Sequence, residues 1–200
     1  MSFRERGITA PVGLTTEQFL LRPIVPSDAE LDYEAVMESR EFLRQWEQST
    51  WPEDDFTVDA NREDMVKLEQ RHTTGESYSY TVMNLDQSEC LGCVYMFTPD
   101  TRWFADADVT AVGEDRWSDV DAMISFWVRR SKLAEGMDRL LLDSLRAWLE
   151  LEWSFDRWVV LANDEFEQQI AMIEGTDLQR RFEIRLPDDP GTYLAYATSG

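Results

Sequence analysis

The residues best placed for chemistry lie between Glu114 and Arg139. Asp119 and Asp121 stand at the mouth of an apolar run, Met123 to Val128, whose one polar residue is Ser125, and Glu114 and Asp115 lie just ahead of it. A carboxylate or hydroxyl in such a place can take up or pass on a proton, directly or through water. The same aspartates also read as solvated flanks of a strand. Behind the run, Arg129 to Gly136 read as a tight turn. Met137, Leu140, Leu141, Ser144, Leu145, Trp148 and Leu149 then recur at helical spacing. A strand that feeds a helix through a short loop leaves the first helical amides without partners, and the helix dipole favours an anion beside them. The stretch from Asp121 to Glu152 therefore has the makings of a phosphate cradle for a nucleotide-like cofactor. Glu135 and Asp138 place negative charge where that helix starts, which satisfies the dipole in the phosphate's stead.

A second group is aromatic. Trp51, Trp103 and Trp117 fall in loops, among Glu53, Asp54, Asp55, Asp106 and Asp108. Aromatic walls with acidic neighbours suit an amine or another cation. Trp46, Trp127, Trp148, Trp153 and Trp158 fall on or beside regular elements and read as core. Tyr95, Tyr193 and Tyr196 can serve as an acid or as a substrate wall, or pack as buried aromatics.

These groups need a scaffold. Phe19 to Val25 reads as a strand, with Pro23 arguing for an edge or a bulge. Ser27 and Glu30 have capping-box spacing ahead of a helix from about Asp28 to Gln48, which should bend where Ser39 interrupts its apolar stripe. Thr57 to His72 is a second helix. Ser79–Asn84 and Leu91–Phe97 read as a hairpin, and Thr98 to Asp119 as a long irregular segment of the kind that often carries function. After the Met123 strand and its helix come a strand at Arg157–Ala162, a helix at Glu165–Glu174, and a closing hairpin, Arg180–Leu186 with Thr192–Thr198, around the turn PDDPG.

Two hundred residues, 43% of them hydrophobic, suffice for one domain, expected to span residues 1–200 with 1–16 as an N-terminal extension. A formal charge of -21 argues against nucleic acid and anionic membranes as partners. Of the 19 basic residues only Lys67 and Lys132 are lysines, a bias that habitat or genome composition explains as readily as function. No apolar run approaches the roughly 20 residues of a membrane span, and the start lacks a signal-peptide core, so the expected location is cytoplasmic. Cys90 and Cys93 form a lone C-x-x-C and His72 is the only histidine, so no metal site is expected. Strand alternation would send the two thiols to opposite faces.

The segment WVRRSKLAEGMDRLLLDSLRAWL resembles the acyl-CoA motif of the GNAT N-acetyltransferases, in which a strand ending in Val-Arg-Pro meets a Gln/Arg-x-x-Gly-x-Gly/Ala loop and a helix. Trp127, Val128 and Arg129 match the strand end and Gly136 the central glycine. Leu133 stands at the Gln/Arg position, Ala134 at the first glycine and Asp138 at the last small residue. The opening LLRPIVPSDAELDYEAVMESREFLRQW is similar to the subgroup that acetylates protein N-termini or small amines. The resemblance covers Phe19 to Thr198 and implies an α+β fold, a mixed sheet of about seven strands with about four helices on both faces. It implies acetyl-CoA as cofactor, with main-chain groups of Phe126, Trp127 and Val128 along the pantetheine arm. Leu133, Ala134, Glu135, Gly136, Met137, Asp138 and Arg139 would surround the pyrophosphate. The implied acceptor is an amine, of a small molecule or a peptide, and a homodimer is left open. The family's usual proton-handling Glu and Tyr correspond to Met123 and Ile173, so Asp121 and Ser125 are the substitutes at hand. The alternative expectation is a binding protein of the same fold without catalysis.

Overall fold

Along residues Ala122–Val128 (β6), Ala122, Ile124, Phe126 and Val128 are buried on one side while Met123 and Trp127 are buried on the other. A strand with two buried faces needs cover on both, and helices supply it. The computed structural model, which describes residues 1–187 and 191–198, builds a nine-stranded sheet around it. In chain order the elements are β1 (Leu14–Thr15), β2 (Phe19–Pro23), α1 (Ala29–Glu38), α2 (Arg40–Glu47), α3 (Val58–Thr74), β3 (Tyr78–Asn84), β4 (Cys90–Phe97) and β5 (Asp108–Ala111). After β6 follow α4 (Arg130–Leu133), α5 (Met137–Glu152), β7 (Trp158–Asn163), α6 (Glu167–Glu174), β8 (Gln179–Arg185) and β9 (Thr192–Ala197). The sheet order is β1-β2-β3-β4-β6-β7-β9-β8-β5, antiparallel throughout except for β6 and β7.

The apolar stripe of α5 buries Met137, Leu141, Leu142, Leu145, Trp148 and Leu149 against one face, joined by Ile173 of α6. Each such side chain contributes about 1.5–3 kcal/mol of burial. Trp148 also meets Tyr80 and Trp153 edge-on, with ring centroids 5.2 and 5.3 Å apart. The other face is covered by α1, α2 and α3, whose Ala35, Val36, Leu43 and Met65 are buried. Among the described residues, no helix is long and apolar enough to cross a membrane.

Several expectations are corrected. The sheet has nine strands rather than about seven, because β1 adds an edge and because β5 forms inside the segment expected to be irregular and pairs with β8. The described residues hold six α-helices rather than about four: α1 and α2 separate at Ser39, where the bend was expected, and α4 forms inside the expected turn. The Ser27–Glu30 capping box does not form. Pro26 to Asp28 make a 3-10 turn, α1 starts without a side-chain cap, and Glu30 pairs with Arg62 at 2.7 Å. Thr57 does cap α3, its hydroxyl accepting from the Ala60 amide at 3.2 Å. Residues 3 and 8 of the expected extension are buried in the main core, and the Tyr78 and Tyr80 hydroxyls donate to the carbonyls of Ile8 and Pro11 at 2.9 and 3.0 Å. Most of the PDDPG turn lies outside the described residues.

The thiols, too, are placed differently. Val82 pairs with Gly92 but Met83 with Cys90, so β4 carries a bulge at Leu91. One extra residue reverses the alternation, and Cys90 and Cys93 end on the same face, that of α1. Gly92 makes this possible: its φ is +151°, and a Cβ there would collide with the Trp127 carbonyl. Gly92→Ala should therefore lower stability by about 2 kcal/mol or more, read as a lower urea midpoint at unchanged m-value.

His72, near the end of α3, accepts the Ser79 amide on Nδ1 at 3.1 Å and sits edge-on to Tyr78 and Tyr80. Burial pushes its pKa down, with the Ser79 contact opposing. The unfolded chain thus binds the proton more readily. The His72 contribution to stability is complete above about pH 6.5 and is lost as pH falls from there through the lower folded value. As the sole histidine, it should give one NMR titration below pH 6.5, and the stability difference between the wild type and His72→Gln should shrink over the same interval; titration at or above 6.5 would contradict this account.

Candidate active site

β6 and β7 pair through only Ala122–Trp158, Met123–Val159 and Ile124–Val160. Beyond these, β6 stays with β4 as far as Val128 opposite Gly92, while β7 turns to β9 over Val160–Asn163. The two strands part, and the edge of Ser125–Val128 that faces β7 is released from the sheet. Asn163 helps to hold β7 away, donating to the Gln45 carbonyl of α2 at 2.7 Å. Into the gap reaches Gln169 of α6, 4% exposed, whose Nε2 donates to the Phe126 carbonyl at 3.0 Å while its Oε1 has no partner. A buried amide oxygen left without a donor is costly unless a ligand supplies one.

At the top of the gap, Arg129 to Gly136 join β6 to α5. Gly136, at φ +73°, caps α5 in the left-handed region. Glu135 precedes the helix rather than lying in its first turn. Asp138 does lie there, buried, and accepts from Gln168 of α6 at 2.7 Å. Part of the loop is already satisfied from within: the Glu38 carboxylate of α1 accepts the Ser131 amide at 3.0 Å and the Arg129 guanidinium at 2.6 Å, and Ser39 accepts the Arg130 amide at 3.0 Å. Burial raises the Glu38 pKa, but these hydrogen bonds outweigh it and hold the carboxyl below its usual range. Lys132 pairs with Glu89 at 3.2 Å. Among the described residues the amides of Met137 and Asp138 take no acceptor, and Arg130, exposed, makes no ion pair.

On the opposite face the gap opens onto a cavity of about 300 Å³. Ser125 and Leu161, the first residues past the last β6–β7 pair, lie in its lining with Tyr95, Phe97 and Tyr193. Trp46, Trp51 and Trp103 line it as well, together with Glu47, Asp64, Lys67 and Arg71. A wider, adjoining depression adds Glu53 and Asp106. Trp103, 63% exposed, packs on Phe97 at a centroid distance of 5.4 Å.

The candidates from sequence separate accordingly. Ser125 reaches the cavity, half-buried. Asp121 does not: it sits at the end of β6 away from the loop, and its carboxylate accepts the amides of Asp156 and Arg157 at 2.8 and 3.0 Å. It fastens the start of β7 through Oδ2, and Arg6 lies 3.9 Å from its Oδ1. Asp119 pairs with Arg116 at 3.0 Å, and Asp115 with Arg157 and Arg181. Met123 and Ile173 are buried and apolar. Trp51 and Trp103 meet on the cavity as expected, whereas Trp117 packs edge-on against Phe182 at 5.1 Å. Tyr196 donates to Glu174 at 3.1 Å on the other face. Gln169 and Glu38 were not found from sequence, although a glutamine one turn before buried Ile173 is a polar group on an apolar helix face, and that is a signal.

No protein-family model matches the sequence, and no curated protein matches it. Solved structures do. RimL, a ribosomal L7/L12 alpha-N-protein acetyltransferase solved with coenzyme A, superposes with a TM-score of 0.66 over 94% of this chain and 96% of its own, at 16% identity. The ribosomal-protein-S5-alanine acetyltransferase of Vibrio fischeri gives 0.66 over 93% and 95%, at 13% identity. The microcin C7 self-immunity acetyltransferase MccE, solved with acetyl-CoA and AMP, gives 0.67 over 94% and 96%, at 11% identity. With its parted parallel pair, its loop into α5 and near-complete superposition on these three, the chain has the fold of the GNAT acetyltransferases.

Proposed function

We propose that the protein is an acetyl-CoA-dependent N-acetyltransferase that acts on an amine, of a small molecule or of a peptide N-terminus, by direct transfer. The observation that carries this reading is that the strand gap and the aromatic cavity meet at Ser125 and Leu161. The chain offers one approach along the free edge of β6 and another through the cavity, from opposite faces of the sheet.

The cofactor would supply an acyl group already activated as a thioester. Main-chain groups of Phe126, Trp127 and Val128 would hold its pantetheine arm, and the unpartnered Oε1 of Gln169 would accept one of its amides. The amides of Met137 and Asp138, with exposed Arg130, would meet its phosphates, enclosed by Leu133, Ala134, Glu135, Gly136 and Arg139. On the acceptor side Asp64 is held by Lys67 at 2.8 Å, so Glu47, with Glu53 and Asp106 of the adjoining depression, would favour the approach of an ammonium, and the tryptophans its apolar part. The amine must lose a proton before it attacks. Ser125 stands where the two approaches meet and can pass that proton to water. The activities named for the three fold neighbours support acyl transfer and leave both acceptor types in view. Acetyl-CoA as cofactor implies the cytoplasm as the place of action.

Titration with acetyl-CoA should give saturable heat for one site and a rising Tm. Arg130→Ala should weaken binding about three- to tenfold and reduce its dependence on salt. No heat and no Tm shift at millimolar cofactor would overturn the reading in favour of a non-catalytic binding protein. For the acceptor side, Trp103→Ala should raise KM for an amine about tenfold, the equivalent of about 1.4 kcal/mol, with kcat little changed. An unchanged KM would remove this cavity as the acceptor site.

A further inference from the structure

β4 carries two thiols that acyl transfer does not use. The bulge at Leu91 brings Cys90 and Cys93 to one face, and Asp32 of α1 comes down on both: its Oδ1 lies 3.6 Å from the Cys90 sulfur and 3.4 Å from the Cys93 sulfur. All three side chains are buried, and their ligand atoms lie within 4.8 Å of one another. The second carboxylate oxygen is occupied elsewhere. Asn61 of α3 donates to Oδ2 at 2.9 Å and is itself fixed by the Ala29 carbonyl at 3.1 Å, so Oδ1 alone is turned toward the sulfurs.

Two features of this cluster ask for a cation. Asp32 is 4% exposed, yet no Lys, Arg or His pairs with it among the described residues; its donors are one amide and two thiols, which are weak. Buried carboxylates are ordinarily paired or bound to metal. The spacing points the same way. A tetrahedral ion with Zn–S near 2.3 Å and Zn–O near 2.0 Å has S···O edges of roughly 3.5 Å, which the two observed separations bracket.

We propose that Asp32, Cys90 and Cys93 form a structural site for one zinc ion per chain, with Asn61 as the positioning residue for the carboxylate. On binding, both thiols lose their protons, two are released to solvent, and two Zn–S bonds and one Zn–O bond form around an ion that keeps its +2 charge. The fourth position is left to water. Such a site would tie α1 and, through Asn61, α3 to the bulged strand. The far end of α1 carries Glu38 and Ser39, which hold the Ser131 and Arg130 amides of the loop, so the ion would stiffen the support of the cofactor loop without touching it.

The test uses the whole protein and reads metal, not activity. Protein produced with zinc and exchanged into metal-free buffer should retain about one zinc per chain. Replacement by cobalt should add thiolate-to-cobalt charge-transfer absorption, and both thiols should react with a thiol reagent only once the metal is withdrawn. Cys90→Ser/Cys93→Ser and Asp32→Asn should each lose most of the zinc. Wild-type protein that keeps no zinc or cobalt and shows no metal-dependent rise in Tm would overturn the proposal, as would equal retention by the double serine variant. The wild-type measurements decide the matter even if a variant fails to fold.

Discussion

The structure turns on the point where β6 and β7 stop sharing hydrogen bonds. Parallel strands in an open sheet ordinarily run together, and three residue pairs are a short stretch over which to do so. Each strand keeps a partner on its other side, β4 for β6 and β9 for β7, so parting leaves one edge of each unpaired rather than two. The backbone groups released on β6 are strong donors and acceptors in a place shielded by α5 and α6. They have to be satisfied by something. Gln169 satisfies one and brings a second unmet group with it, so the gap is held open by a side chain that is itself incompletely bonded.

This arrangement explains why helices flank the gap as they do. On one face, α5 and α6 bridge it through Gln168 and Asp138. On the other, α2 accepts Asn163 and contributes Trp46 and Glu47 to the cavity. The N-terminal strap and the aromatic cluster around Trp148 and Trp153 brace the face that α5 covers. Gly92, next to the bulge at Leu91, sits directly across from Val128, where β6 ends and the loop begins. A distortion in β4 and the aim of the loop are therefore mechanically linked through one pair of neighbouring residues.

Local signals were legible in sequence where they answer to one element alone. The stripe of α5, the break at Ser39 and the glycine at 136 follow from helical periodicity and backbone freedom, which need no knowledge of the rest of the chain. What was not legible depends on partners distant in sequence. The face on which Cys90 points is set by its register with Met83. The strand at Asp108 exists because β8 lies beside it, and the capping box lost to a proline-led turn and to Arg62. Asp121 shows the same limit for chemistry: its type and position suit a proton carrier, but two amides some 35 residues away occupy its Oδ2 and hold it to the start of β7, away from the cavity. Trp51 and Trp103 could be grouped from sequence, and line one cavity, because tryptophans in loops have few reasons to be there, whereas Trp117 of the same group packs on Phe182.

The sheet is also finished at both sides by very little. β1 contributes two residues and β5 four, and on β5 Asp108, Thr110 and Ala111 are exposed. A long, flat edge strand is an invitation for another copy to add itself, and short ones withdraw it. On a chain with a net charge of -21, repulsion between copies reinforces that refusal. Nine strands can thus be kept in one molecule with edges that give another copy little to pair with.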